Sequence, residues 1–334
     1  MFELLASVFI SQAQFSEDPE HLHAKAEERT PPQYLDLAKG RLNKRARKSE
    51  AWPVEKVLSI GNTGGMYQNY SWDPYFHHGL DIRADAGSTV RASRGGKVVN
   101  IENYEPGVAA YWEIAILDDE GFLWQYHHVD HDSIPQAVLD AFENGGRVET
   151  GDKIGEVFYW PITSFGERYH HIHLNILGAN KEYLSPFLFL ETLEDHSAPV
   201  FAKVGVLKDG EAVSEDRVAG PYSLYAQIDD LILSKVFANP PHEIRVSIDG
   251  GASRTVWNFD KLPGGGDISA HVHDFYVSSM VCGNYQCRKP VVNLGFTLEG
   301  KLPFPQAKGT HQVEITARDF NGNQTEKSYS WTVD

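Results

Sequence analysis

Sulfur is scarce in this chain, with 2 Cys and 3 Met among 334 residues. Two cysteines are at most half of a thiolate metal site, and no other half is in view. Long apolar runs are missing too: no stretch of 18 apolar residues occurs, so no segment reads as a membrane-spanning helix. Positive charge is in short supply, Lys+Arg 30 against Asp+Glu 46, for a formal charge of −16 at pH 7. Such a surface repels phosphate backbones, and nucleic acid is not an expected partner. The remaining composition, 41% hydrophobic and 23% charged, is that of an ordinary globular protein and excludes wholesale disorder. The length suggests about two domains.

The chain divides by pattern into a leader, a first large domain over 51–195 and a second over 196–334. Residues 1–50 form the leader or linker. It opens Met1-Phe2-Glu3-Leu4-Leu5-Ala6-Ser7-Val8, similar to a secretory signal without its basic start, or equally a short amphipathic helix. Its basic run from Lys39 to Lys48, with Arg41, Lys44, Arg45 and Arg47, reads as a solvated face, with an electrostatic tether as the alternative. From Trp52 to about Leu193 short alternating segments with frequent Gly predict antiparallel sheet. One helix is predicted there, from Ser133 or Pro135 to about Glu143, with Ser133 as N-cap and Gly145 past its end. Beyond Asp195-His196-Ser197-Ala198-Pro199 the alternation resumes at Tyr222–Ile228, Glu243–Ile248 and Gln312–Ala317. Evenly spaced strands without helical periodicity predict an all-β sandwich, and the closing stretch resembles the last strands of immunoglobulin-like domains. Some 140 residues are enough for the first domain to bury a core of its own. Cys282 and Cys287, with four residues including Gly283 and Asn284 between them, are expected to pair in an exported protein.

What the chain has in excess is histidine: 15 copies, eight of them between His77 and His173. Seven of the eight, all but His131, gather in His77-His78-Gly79-Leu80-Asp81, Tyr126-His127-His128 and His170-His171-Ile172-His173. In the third cluster Ile172, Leu174 and Ile176 alternate with His171, His173 and Asn175. On a strand, both His then share a face about 6.5–7 Å apart, one free to bind a metal and the other to touch a substrate. Zinc accepts imidazole nitrogen and carboxylate oxygen, and a catalytic zinc keeps three protein ligands. His77, Asp81 and His173 would supply two nitrogens and an oxygen. Two other His-x-His pairs carry less: His21 and His23 fall in the polar leader, and His271 and His273 on a predicted strand of the second domain.

The order of parts, His-x-Gly-x-Asp, then Tyr-x-His, then His-x-His, resembles the lysostaphin/LytM family of zinc endopeptidases over residues 55–190. The frame around Gly87-Ser88-Thr89-Val90, Gly95-Gly96-Lys97-Val98 and Gly146 to Gly155 is similar as well. The resemblance implies a mainly β fold, an antiparallel LytM-type peptidase domain before the sandwich. It implies one zinc per chain on His77, Asp81 and His173, with His128 and His171 as the paired non-ligand histidines. Each doublet admits an error of one register, so His78, His127 and His170 are the rivals. The approach to the last pair, Gly166-Glu167-Arg168-Tyr169, and the aromatic, acidic stretch from Glu102 to Trp112 depart from the family pattern and are expected to reshape the groove.

The activity implied is hydrolysis of peptide cross-links in bacterial cell-wall peptidoglycan, by a periplasmic or secreted protein. The second domain is expected to anchor or position the enzyme on the wall. Two rivals keep the same motifs: a peptidase of Gly-rich proteins, and a regulator that binds other wall hydrolases without cutting.

Overall fold

Apolar residues at every second position give each strand one face for a core, and that pattern organises both halves of the molecule. The computed structural model describes residues 33–42, 49–70, 73–284 and 286–334. The first-residue segment, His21, His23, and Lys44, Arg45, Arg47 and Lys48 of the basic run lie outside the described residues. The described residues are mainly β. None of their helices is long and apolar enough to cross a membrane.

The first sheet contains β1 (Ser59–Ile60), β2 (Leu80–Arg83), β3 (Gly96–Asn103), β4 (Trp112–Leu117), β5 (Leu123–His127), β6 (Arg147–Val148), β7 (His171–Leu177) and β8 (Tyr183–Leu184). Their order is β1-β2-β7-β5-β4-β3-β6, with β8 also on β7, and every pairing is antiparallel. Ile82, Ile114, Ile116, Trp124, Tyr126, Ile172, Leu174 and Ile176 fill the core on one face. Because β7 is central and antiparallel to both neighbours, its register draws distant segments into one row. Asp81 lies opposite His173, His173 opposite His127, and His127 opposite Glu113.

The helix predicted near 135 is α1 (Gln136–Glu143), but Ser133 does not cap it. Ser133 belongs to the tight turn His131–Ser133, where its hydroxyl donates to Asp130 O and accepts from Glu156 N at 2.7 Å. Pro135 forces the residue before it to stay extended, which separates that turn from the helix. The C-terminal end is as expected, with Gly145 left-handed at φ 66°.

The second half contains a four-stranded and a five-stranded sheet. Val200–Lys208 (β9), Glu211–Ala212 (β10), Ser223–Asp229 (β12) and Val291–Asn293 (β17) form the first, in the order β10-β9-β12-β17. Arg217–Val218 (β11), Glu243–Ile248 (β13), Arg254–Asn258 (β14), Gly309–Arg318 (β18) and Gln324–Val333 (β19) form the second, in the order β11-β19-β18-β13-β14. Val206, Leu224 and Ile228 from one sheet share a core with Ile244, Val246, Ile315 and Trp331 from the other. Between them Cys282 and Cys287 form a disulfide across the hairpin of β15 (Cys282–Asn284) and β16 (Cys287–Lys289). His271 and His273 are not on a strand. They flank and enter the short helix α2 (Val272–Phe275), because Val272 and Phe275, three apart, are the residues buried in the second core.

One feature of the packing departs from two self-contained cores. Tyr67 and Phe76 precede residue 195, yet both lie in the second core, where the Phe76 ring meets Phe259, Phe275 and Tyr276. Tyr276 donates to Gly65 O at 2.7 Å, and Ile60 N and Thr63 N bond Ile232 O and Asn239 Oδ1. The segment entering β2 is therefore held from both sides.

Candidate metal centre and active site

The row of residues across β2, β7, β5 and β4 opens into a cavity of about 740 Å³. Its walls include His77, Asp81, His128, His171 and His173 together with Asn62, Tyr104, Tyr169 and Arg288. Gly79 shows why this corner needs glycine: a Cβ there would overlap the Asn175 side chain and stand 2.7 Å from His173 Nε2. Without a side chain at 79, the segment bearing His77 can lie directly against β7.

His77, Asp81 and His173 are buried, and their ligand-capable atoms lie within 4.8 Å of one another. Asp81 Oδ1 is 3.2 Å from His77 Nε2 and 2.9 Å from His173 Nδ1. The other oxygen, Oδ2, accepts from Asn62 Nδ2 at 2.6 Å and from the Tyr169 hydroxyl at 2.8 Å, which turns Oδ1 toward the imidazoles. The far side of each ring is also engaged. His77 Nδ1 is 3.2 Å from Thr63 O, and His173 Nε2 is 2.7 Å from Asn175 Oδ1. With a metal bound, donation from those nitrogens would leave the lone pairs on His77 Nε2 and His173 Nδ1, the atoms that face Asp81 Oδ1. Three electron-rich atoms pointed at one spot, each oriented by an outer partner, fit a borderline divalent cation such as zinc.

Charge in this corner is set by burial. Burial works against the Asp81 carboxylate, but His77, His171 and the hydrogen bond from His173 outweigh it and hold Asp81 well below the usual range. Burial lowers His171 and His173 and so favours neutral rings. It lowers His127 strongly, with His173 and His128 adding repulsion.

His128 and His171 face each other, ring centroids 4.6 Å apart. Each has its Nδ1 against a main-chain carbonyl at 2.8 Å, Ala110 O for His128 and Tyr169 O for His171. Donation there puts the ring lone pair of both on Nε2. The His171 Nε2 is 3.7 Å from Asp81 Oδ1. His128 reaches the cavity at a backbone cost, since its φ of 63° is left-handed, a conformation worth about 1–3 kcal/mol of strain in a non-glycine residue. The reversal at the end of β5 is what lets consecutive His127 and His128 both line one cavity.

Residues 75–186 match the sequence profile of peptidase family M23. This segment is an M23 peptidase domain. Solved structures similar to the chain include the catalytic domain of the antimicrobial peptidase lysostaphin from Staphylococcus simulans, at 21% identity over 39% of this chain and 90% of that one, TM-score 0.28. A putative M23 peptidase from Pseudomonas aeruginosa matches at 20% identity over 54% and 64%, TM-score 0.31. A zinc-containing peptidase from Vibrio cholerae matches at 19% over 42% and 39%, TM-score 0.30. No curated protein matches the chain.

Within the M23 segment, the five residues predicted from the motifs all line one cavity. Of the rivals, His78 and His127 line it too, with ring centroids 4.9 and 5.2 Å from His173. His170 instead accepts from Trp160 N through Nδ1 and packs on Tyr159. Sequence reasoning missed Asn62, Tyr169 and Glu113. Glu113 lies beside His127 at 3.4 Å and takes a hydrogen bond from Tyr34, which approaches from the stretch before the domain. Arg288 was missed as well. It reaches in from the disulfide hairpin to bond Asn62 Oδ1 and Gly61 O. No spacing rule joins these residues to the histidine motifs, and only Tyr169, two before His171, sat close enough to suspect. The aromatic stretch beginning at Glu102 forms a wall, with Tyr104 packed on Tyr111 and His127.

Proposed function

We propose that the protein is a zinc-dependent endopeptidase that hydrolyses peptide cross-links of bacterial peptidoglycan outside the cytoplasm. The observation that carries this reading is the convergence of His77 Nε2, Asp81 Oδ1 and His173 Nδ1 beside the facing pair His128 and His171, inside an M23 segment. His77, Asp81 and His173 would hold the zinc. When bound, zinc polarises the scissile carbonyl and makes water acidic enough to react near neutral pH.

The chain's own residues supply the rest. Asn62 and Tyr169 keep Asp81 turned inward, and Thr63 O and Asn175 fix the two ligand rings. His128 and His171 are anchored through Nδ1 and offer Nε2 to the substrate. One of them accepts the proton of the attacking water and returns it to the leaving amine. The other, once protonated, donates to the carbonyl oxygen as it gains charge. Burial keeps His171 neutral at neutral pH, the state a proton acceptor needs.

Digestion of purified sacculi, followed by mass spectrometry of the released muropeptides, tests this reading. New free amines at cross-link positions are expected, and a zinc chelator should abolish them. Intact sacculi alongside cleavage of a Gly-rich protein would move the substrate elsewhere. A zinc-loaded protein that cuts neither would act by binding.

A further inference from the structure

A second group of acidic residues lies away from the histidines, where the two halves of the molecule meet. Asp195 ends the stretch after the first sheet, Asp230 follows β12, and Asp319 begins the turn between β18 and β19. Their carboxylate oxygens lie within 4.8 Å of one another, and the residues are 5%, 1% and 3% exposed. Among the described residues none of the three makes an ion pair. Three carboxylates this close, removed from water, repel one another unless something positive is between them.

Hydrogen bonds account for two of the three. Asp319 Oδ1 accepts from Asn321 N and Asn323 N, and its Oδ2 accepts from Asn323 Nδ2 at 2.7 Å. Asp195 Oδ1 accepts from Ser197 N. Asp230 has neither oxygen satisfied: both Oδ1 and Oδ2 are buried without a hydrogen-bond partner. Its main chain is fixed by a reciprocal pair of bonds with Asn239, at 2.9 and 2.8 Å, so the carboxylate is held in the cluster rather than left to swing out. A buried, bare carboxylate costs several kcal/mol in folded proteins unless a cation or a proton offsets it.

We propose that Asp195, Asp230 and Asp319 form a calcium site that clamps the junction of the two halves. The donors are all hard oxygens, with no imidazole or thiolate among the three, which selects calcium or magnesium over zinc. Calcium holds its oxygens at about 2.3–2.6 Å and tolerates irregular and bidentate carboxylates, so oxygens spread up to about 5 Å across fit around it. The two free oxygens of Asp230 suit a bidentate contact. Burial, and then the neighbouring charges of Asp319 and Asp195, push Asp230 well above the usual carboxylate range. Asp319 is raised for the same first reason.

The surroundings give the ion a task. Asn321 Nδ2 donates to Leu193 O and Asp195 O, Asn323 Nδ2 donates to Asp195 O, and Phe320 stacks on Phe187 at 4.3 Å. The turn bearing Asp319 is thus docked on the connection between the halves, and an ion joining 195, 230 and 319 would lock it there. Asn239, the backbone partner of Asp230, also accepts from Thr63 N beside the metal centre.

Calcium chloride titrated into the full chain, with and without equimolar zinc, tests the site by calorimetry and thermal unfolding. One calcium per chain is expected in both conditions, with Tm rising by about 3 °C or more at saturation. Asp230→Asn keeps the shape and removes the charge. It should weaken calcium binding at least tenfold and remove the rise in Tm. Asp195→Asn, measured in the same way, guards against a folding defect confined to position 230. No saturable calcium binding by the wild type up to about 10 mM, the weak end for extracellular sites, would overturn the proposal. So would Asn variants that bind calcium as tightly as wild type, or wild-type binding of magnesium alone. A wild type indifferent to calcium whose Asp230→Asn form is simply more stable would mean that a proton, not an ion, neutralises the cluster.

Discussion

Asp81 is the residue on which the proposed metal centre turns, because its two oxygens are divided between two tasks. Oδ1 faces His77 and His173, and Oδ2 is held by Asn62 and Tyr169. Asp81→Ala should therefore lose zinc, as read by elemental analysis of the purified protein. Full zinc occupancy in that variant would remove Asp81 from the ligand set. Tyr169→Phe deletes the bond its hydroxyl donates to Asp81 and the one it accepts from Asn62, and a zinc affinity lower by about 10-fold is expected, in line with outer-partner losses elsewhere. His128→Ala and His171→Ala should keep zinc while turnover falls by roughly 10²-fold or more. Should His127→Ala be the inactive, zinc-replete variant, or His78→Ala the one that loses zinc, the roles belong to the neighbouring register. Both of those rings border the same cavity, so kinetics rather than position must separate them.

At the scale of the strand, β4 carries a buried acid with a pH signature. Glu113 is raised to about 7 by burial, against the hydrogen bonds from Tyr34, Asn100 and Gln125 that favour its charged form. The folded chain thus keeps this proton at pH values where the unfolded chain, with a carboxyl near 4.5, has released it. Stability from this group is fully present below the unfolded value and is lost as pH rises through 7. Glu113→Gln carries no titrating proton, so its Tm relative to wild type should climb between about pH 5 and about pH 8. Paired thermal melts at the two pH values measure it, and a constant difference would mean that Glu113 does not titrate in this range. The same strand scale shows how much was readable. Alternation around Ile172 placed His171 and His173 on the cavity side of β7. It gave no warning of the left-handed His128, because backbone reversal at a strand end leaves no periodic trace.

For the molecule as a whole, the two halves share more than a linker. Tyr67 and Phe76 are buried in the second core, and Arg288 of the disulfide hairpin bonds Asn62, the residue that holds Asp81. A chain ending after residue 198 would expose both aromatic rings, each worth about 1.5–3 kcal/mol of burial. It is expected to unfold at lower temperature than the full chain and to bind zinc more weakly, measured by calorimetry and metal titration. Equal stability and equal zinc affinity in the short form would show that the second half is only an attachment. Anchoring on the wall is a separate role proposed for that half, read by comparing full and short chains on sacculi and on a small soluble peptide.

The sequence by itself determined the metal-ligand and paired-histidine candidates, the mainly β architecture and the location of the peptidase segment. It could do so because that chemistry is concentrated in short segments, where strand periodicity ties spacing to facing. Only the tertiary structure decided which outer residues orient the site and how far the second half enters it. Asn62, Tyr169, Glu113 and Arg288 come from four separate stretches, and none belongs to a pattern that marks it in isolation. The same holds for Asp195, Asp230 and Asp319, ordinary turn residues along the chain that become a cluster once β12, β18 and the connection after the first sheet are packed together. Long-range juxtaposition is set by strand order and core packing, and one-dimensional spacing does not carry it.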